Sequence, residues 1–322
     1  MNSLEHLVEL IESHTPSHIT IFAPVFNPTF LWRLSKGIAL YKRKNLSEIK
    51  VFVLNFTDGA DATFFLNESI EIQELFPKIN IFKIDPNIVN DNIKMAPGVI
   101  MMINGKQRAY TFETEFSSFG FDVEGVLSGI PVNRAKDYFE GLDTDSIKIT
   151  RDVIDLLSSS YLTDLIAIDE NSNFYGNPIF DLTFVSSKTK EIHSAGAGLN
   201  WGQHTASRRR KDLNAAYIPV PKSIQGNPAL PEPGLIFRCK FNDGIEFDMV
   251  RTGEGGKNLT SAYENQILGR YIRNKFKLAP GNLINNNVLD SLDIYGVSFI
   301  KVDDMSYLAK FNNSKESKIY DF

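Results

Sequence analysis

Residues 234–252 read GLIFRCKFNDGIEFDMVRT, in which two short apolar segments flank the turn-like triplet Asn242-Asp243-Gly244. Asn, Asp and Gly favour tight turns, and the aromatic and β-branched residues on either side favour strands. Similar segments between Asn, Gly and Pro turns fill the second half of the chain, at 164–173, 176–187, 214–221, 295–304 and 305–311. The pattern predicts a β-barrel or pseudobarrel over residues 151–322.

One helix stands out in this half, at residues 263–276 (YENQILGRYIRNKF). Its apolar stripe consists of Ile267, Leu268, Tyr271 and Phe276. The helical spacing predicts that this stripe faces the barrel and that the solvent-facing side carries Arg270, Arg273 and Lys275. We expect the polar tail, residues 312–322, to be loose.

The first half alternates helix and strand patterns. Three helices are predicted, at 2–13, at 29–44 with Asn27 as its cap, and at 68–76. Three strands are predicted at His18–Phe26, Ile49–Phe56 and Ile79–Ile84. This alternation favours a parallel, layered α/β sheet over residues 1–150. Asn104-Gly105 predicts a hairpin between 98–103 and 108–112. Further elements are predicted in order as a strand at 121–127 and helices at 132–142 and 149–160.

Composition excludes several classes of protein. The single cysteine, Cys239, rules out a disulfide scaffold and a multi-cysteine metal site, and five histidines leave little room for a metal cage. We therefore expect no cofactor and no metal. No apolar run reaches the roughly 18 residues of a membrane span, and the acidic, amphipathic N-terminus is unlike a secretory signal. A reducing, cytoplasmic setting is expected.

The charge is unevenly distributed. The net charge is −5, yet residues 193–277 carry 13 Lys and Arg against 7 Asp and Glu, a net +6, so the rest of the chain carries −11. An acidic protein with a basic segment is suited to local binding of a polyanion. Chance clustering of surface charge is the alternative.

The most informative basic stretch is Gly196–Pro221, GAGLNWGQHTASRRRKDLNAAYIPVP. Asn and Gln can bond adenine in the major groove, Arg can bond guanine, and Arg and Lys can hold phosphates. The candidate DNA contacts in this stretch are Asn200, Gln203, Arg208, Arg209, Arg210 and Asn214. Trp201 is expected to be a packing anchor. A solvated basic loop remains the alternative.

A second Gly-rich, partly basic stretch is Arg251–Asn265, RTGEGGKNLTSAYEN, between a predicted strand and the helix. GEGGKN departs from the phosphate-loop pattern GxxxxGK[ST], so nucleotide binding is weakly supported. Interpreted as a loop that reaches into DNA, it offers Arg251, Lys257, Asn258 and Thr260 as contacts. An ordinary flexible hairpin is the alternative.

Ordered motifs over residues 160–311 resemble the C-terminal half of the NgoFVII-type restriction endonucleases. They are LNWGQ, RRRKDLNAAYIPVP, NDG, GGKNLTSAYENQILGRYIR, LDIYG and VSFIKVDDMSYLAKF. The resemblance implies a DNA-recognition domain with the pseudobarrel fold of plant B-three transcription factors. It implies two arms that grip the major groove of double-stranded DNA, the first at 196–214 and the second at 251–265.

The N-terminal half of that family is a phospholipase-D-like nuclease, a mixed sheet between helices. Residues 1–142 resemble its layout, but the catalytic His-x-Lys and Gly-Ser-x-x-Asn motifs are not matched. The corresponding positions lie near Lys94-Met95 and at 112–120 (FETEFSSFG). The resemblance therefore implies a degenerate nuclease domain, which we expect to persist as a dimerisation module of a homodimer.

Replacement catalytic groups are weakly supported, and we name no catalytic residue. Glu48-Ile49-Lys50 lacks the upstream acidic residue of metal-dependent nucleases. Four carboxylates are clustered, Glu113, Glu115, Asp122 and Glu124, and Asp122 and Glu124 could bind Mg²⁺. The simpler explanation is that they keep an exposed edge strand soluble. A nucleophile pair of His193 and His204 is less expected than contact or structural roles.

Two other functions stay open. One is an active restriction endonuclease that uses non-standard residues or a partner subunit, either a helicase-type ATPase or a nuclease. The other is a modified-base reader or transcription regulator.

Overall fold

The computed structural model describes residues 3–26, 31–32, 34–35, 46–56, 62–84, 98–112, 127–130, 146–151, 179–193, 195–203 and 212–320. The chain divides into two compact units, Met1–Ala167 (unit 1) and Ile168–Phe322 (unit 2). In the described part of the chain, no helix has both the length and the apolar character to cross a membrane. The sequence placed the division at 150.

Unit 1 contains helices and a seven-stranded sheet within its described residues. The helices are α1 (Ser3–His14) and α2 (Ala62–Leu75). The strands are β1 (His18–Phe26), β2 (Glu48–Phe56), β3 (Ile79–Ile84), β4 (Gly98–Ile103), β5 (Lys106–Phe112), β6 (Leu127–Ile130) and β7 (Ser146–Lys148).

The sheet of unit 1 is mixed, in the order β6-β5-β4-β1-β2-β3-β7. Strands β1, β2 and β3 are parallel neighbours, as the sequence predicts. The other pairings are antiparallel, beginning with β1 against β4. The parallel arrangement predicted from the alternation of helices and strands is thus found in these three strands, and the sheet as a whole is mixed, as the family resemblance implies. The hairpin turn supplies part of the reason, because Asn104 and Gly105 both have positive φ, at 50° and 74°, and reverse the chain directly from β4 to β5.

The core of unit 1 forms where α1 and α2 cover strands that are buried along much of their length. Leu7 and Ile11 of α1 and Phe65 of α2 are almost fully buried. The indole Nε1 of Trp32 donates a hydrogen bond to Glu68 Oε2 in α2 at 3.1 Å. Helix α2 begins six residues before the prediction. The helix predicted at 132–142, most of the strand at 121–127 and most of the helix at 149–160 lie outside the described residues.

Unit 2 contains a second sheet and two helices within its described residues. Its strands are β8 (Phe180–Thr183), β9 (Ile218–Pro219), β10 (Ile236–Phe241), β11 (Glu246–Thr252), β12 (Asn258–Ser261), β13 (Gly296–Asp303), β14 (Ser306–Asn312) and β15 (Lys318–Ile319). Its helices are α3 (Ile267–Lys275) and α4 (Asn286–Leu292). Helix α4 was not predicted.

The sheet of unit 2 is curled. Its eight strands follow the order β15-β8-β13-β14-β10-β11-β12-β9. Strand β9 at one edge also contacts β8, which lies next to the other edge. The sheet therefore bends back toward itself, as a pseudobarrel does.

Helix α3 packs against aromatic side chains of this sheet. The ring of Tyr271 lies 4.5 Å from Phe241 and 5.8 Å from Phe311, centroid to centroid. The predicted apolar stripe is correct, but the predicted solvent-facing side is wrong for two residues, because Arg270 and Arg273 are buried. Helical periodicity reports one face only and does not indicate what packs on the other.

The tail was expected to be loose, and this expectation is wrong through residue 320. Strand β15 pairs with β8 through Lys318↔Asp181 and Ile319↔Phe180. The Tyr320 hydroxyl donates to Asp181 Oδ2 at 2.7 Å. Backbone hydrogen bonds to the edge of β8 hold this polar segment in place. The composition of a segment does not indicate whether an unpaired strand edge is available to it.

Candidate nucleic-acid interface

The second arm is a hairpin. Strands β11 and β12 pair in antiparallel register as far as Thr252↔Asn258, and a short 3-10 turn, Glu254–Gly256, forms the tip. Gly253 has φ 76° and ψ 172°, which is essentially a glycine-only conformation. Gly255 and Gly256 also have positive φ, at 67° and 69°. The glycines of the sequence motif thus set the shape of the tip.

Arg251 lies beneath this tip and is 2% exposed. Its guanidinium donates from Nε to Gly256 O at 3.1 Å, from Nη1 to Pro231 O at 2.7 Å and from Nη2 to Gln225 O at 2.8 Å. A guanidinium offers five N–H donors in a rigid fork, which suits several carbonyls at once. Burial lowers the pKa of Arg251 below its usual range. Arg251 therefore joins the arm to the loop 225–231.

The described part of the first arm includes a short 3-10 segment, Gly198–Gln203, with a kink at Asn200. Its two ends are close together. Gly202 N donates to Ala215 O at 2.9 Å, and Gln203 Nε2 donates to Leu213 O at 2.6 Å. A Cβ at Gly202 would lie 2.1 Å from Asp212 O, so only glycine fits this approach. The arm therefore has a closed stem at 202–203 and 212–215.

Side chains of the first arm bind one backbone segment, residues 281–284, which we call the brace. Asn200 Nδ2 donates to Ile284 O at 2.7 Å, and its Oδ1 accepts from Ile284 N at 3.0 Å. Gln203 Nε2 donates to Gly281 O at 2.7 Å. Asn214 Oδ1 accepts from Gly281 N at 2.7 Å. These three amides hold the stem in place.

Arg273 completes this arrangement from α3. It is 1% exposed, and its guanidinium donates to Asn282 O at 2.8 Å, to Gly269 O at 3.1 Å and to Leu199 O at 3.2 Å. Burial lowers the pKa of Arg273 to about 10. Arg273 thus connects α3, the brace and the first arm. Sequence analysis missed this role, since its bonds join residues up to 74 positions apart.

The predicted contact residues fall into three groups. Arg208, Arg209 and Arg210, with His204, lie outside the described residues. Lys257 is exposed and Asn258 is half-buried at the tip of the second arm. The buried or hydrogen-bonded group consists of Asn200, Gln203, Asn214, Arg251 and Thr260, the last of which donates from Oγ1 to Ala216 O at 2.8 Å. All five residues of this last group lie in unit 2, and their polar side-chain atoms bind backbone groups within it.

Trp201 contacts Tyr217 edge to face, with ring centroids 5.8 Å apart, and this contact is the packing role predicted for it. Among the described residues, no group of three or more His, Cys, Asp or Glu side chains could hold a metal ion. The carboxylates Glu113, Glu115, Asp122 and Glu124 lie outside the described residues, as does Lys94-Met95.

The curled sheet of unit 2 is consistent with a domain of the B3-like class. Residues 174–303 match the model of the NgoFVII C-terminal B3-like DNA-binding domain. The match confirms the family resemblance inferred from the sequence, and it includes both arms. No curated protein matches the chain.

Proposed function

We propose that the protein recognises a specific sequence of double-stranded DNA through both arms of unit 2, in a restriction or related defence system. The observation that carries the proposal is the family match over residues 174–303, which includes the two basic stretches at 196–221 and 251–265. The segment HTASRRRK (204–211), between the two sides of the first stem, has four Arg and Lys and no Asp or Glu. Such a segment is suited to a negatively charged duplex.

The polar residues of the two arms fall into two groups, those that contact DNA and those that support the arms. We propose that Arg208, Arg209, Arg210, Lys257 and Asn258 contact bases or phosphates. Asn200, Gln203, Asn214, Arg251 and Thr260 hold the arms instead, because their polar atoms already bind backbone groups. Moving Asn200, Arg251 or Thr260 to a base would leave a buried backbone partner unsatisfied, at a cost of about 1–3 kcal/mol.

For unit 1 we propose a degenerate phospholipase-D-like domain that dimerises and does not cut. The mixed sheet, with helices α1 and α2 packed on it, is compatible with such a layout. The sequence has no histidine between His18 and His193 to serve as the nucleophile of a His-x-Lys motif. Cleavage would then require a partner subunit, either a helicase-type ATPase or a nuclease.

The test is selection from a random duplex library with the full chain, with and without Mg²⁺. Bound and cleaved fractions are sequenced separately. Enrichment of a short motif without cleavage supports the proposal. Cleavage near the motif would contradict the degenerate assignment of unit 1, and a motif that requires a methylated base would favour the modified-base reader. Failure to enrich any motif would overturn sequence-specific recognition.

A further inference from the structure

We propose that each arm has its own buried positioning arginine, Arg273 for the first arm and Arg251 for the second. Each arginine sets the direction in which its arm is presented to DNA without contacting DNA itself. The inference rests on the proposed function, because it concerns how the same surface achieves specificity. Neither arginine was expected in this role, since one was predicted to face solvent and the other to contact DNA.

The argument for Arg273 starts from its three acceptors. They lie on α3 (Gly269), on the brace (Asn282) and at the base of the first arm (Leu199). The helix is anchored to the aromatic core of unit 2 through Tyr271. Arg273 therefore fixes the base of the first arm relative to the core of unit 2. The next residue of the arm, Asn200, binds the brace as well.

Arg251 stands on β11 and does the same for the second arm. Its Nε binds Gly256 at the tip, and its other nitrogens bind Gln225 and Pro231 in the loop beside the arm. Val220 N, ahead of that loop, donates to Lys257 O at 2.8 Å, so the loop and the tip are joined at a second place. The exposed Lys257 is thereby held in a defined place relative to the sheet.

The two sets of acceptors do not overlap. Arg273 binds residues 199, 269 and 282, whereas Arg251 binds residues 225, 231, 255 and 256. A lysine keeps the positive charge, but its single ammonium lacks the planar fork that reaches carbonyls in several directions. An Arg→Lys change at either site should therefore disturb one arm and leave the other arm in place.

The experiment compares the DNA motifs selected by the wild type, Arg251→Lys and Arg273→Lys as full chains. We expect each variant to lose discrimination, by about tenfold or more, at a different subset of motif positions. The salt dependence of binding should stay unchanged, because no phosphate contact is removed. Arg238→Lys is the matched control, since Arg238 pairs with Glu246 on the sheet at 2.8 Å. It should keep the full motif.

Uniform weakening at all motif positions, or no change in either variant, would overturn the proposal. If a lysine variant fails to fold by circular dichroism, Gly281→Ala replaces it for the first arm and Gly256→Ala for the second. Gly281 has φ 77° in the brace, and a Cβ at Gly256 would lie 3.0 Å from Arg251 Nη2. The same two outcomes then decide. A wild type that selects no motif would instead overturn the proposed function itself.

Discussion

Arg251 Nε donates a hydrogen bond to Gly256 O at 3.1 Å, which ties the base of the second arm to its own tip. The two residues are five positions apart in the chain, and the three glycines at 253, 255 and 256 let the chain turn back over the guanidinium. Arg251, which the sequence predicts as a DNA contact, thus stabilises the shape of the arm. The lysine that follows the tip, Lys257, is exposed.

Arg209→Ala should weaken binding to the selected duplex by about 1–3 kcal/mol if Arg209 contacts a base edge. The loss should be concentrated at one motif position, as measured by Kd values for single-base variants of the duplex. Lys190→Ala is the control. This substitution also removes one positive charge, from a lysine outside both arms whose Nζ lies 3.0 Å from Glu316 Oε1. Equal weakening for every sequence, with a shallower salt dependence, would indicate a phosphate contact instead. Unchanged affinity would remove Arg209 from the interface.

Lys257→Ala and Glu254→Gln should shift affinity in opposite directions. Both side chains are exposed at the tip of the second arm. Removing the cation should weaken binding, whereas removing the anion should strengthen it, because phosphates attract the first and repel the second. Titration of a fluorescent duplex at low and moderate salt measures both. Changes of the same sign in the two variants would place the tip away from DNA.

Gly202→Ala should lower the free energy of unfolding of unit 2 by about 1–3 kcal/mol, because the new Cβ would be forced against Asp212 O in the stem of the first arm. Gly226→Ala is the matched control, since a Cβ there meets nothing within 4 Å. Urea denaturation followed by tryptophan fluorescence measures both variants. Equal stability of the two would contradict the closed stem.

Tyr307 predicts a pH dependence of stability. Its hydroxyl donates to Ala229 O at 3.2 Å, and burial raises its pKa to about 12. Tyrosine has a pKa of about 10 in the unfolded chain. Because the pKa of Tyr307 is higher in the folded state, this group stabilises the folded state at pH values below about 10. That stabilisation is lost as the pH rises through the folded value. Between pH 10 and 12 the wild type should lose more stability than Tyr307→Phe, as measured by urea midpoints. Parallel curves would contradict this role.

The full chain should be a dimer in solution if unit 1 is a dimerisation module. Light scattering at micromolar concentration measures the mass directly, against 36.3 kDa for one chain. A deletion that leaves residues 168–322 should then be monomeric. A monomeric full chain would count against the dimerisation hypothesis and would leave the DNA-binding proposal for unit 2 unaffected.

Much of the fold could be predicted because its signals are local. The boundaries of β1 and β3 agree with the prediction, and Asn104-Gly105 marks the turn between β4 and β5. The hairpin tip at 253–257 was also readable, since glycines and a basic residue interrupt the strand pattern there. The sequence did not reveal the antiparallel β4 next to β1, because strand order depends on pairing between distant segments.

The sequence by itself indicated a strand-rich second half with two basic, Gly-containing stretches, and its ordered motifs carried the resemblance to a DNA-binding domain, since all of these are properties of neighbouring residues. Only the tertiary structure decided which polar residues of those arms are buried. Asn200 meets Ile284 across 84 residues, and Arg251 meets Gln225 across 26. A charged or amide side chain stays buried only where folding supplies acceptors for it, and those acceptors are backbone groups that any residue type could provide. No residue pattern along the chain could have identified them.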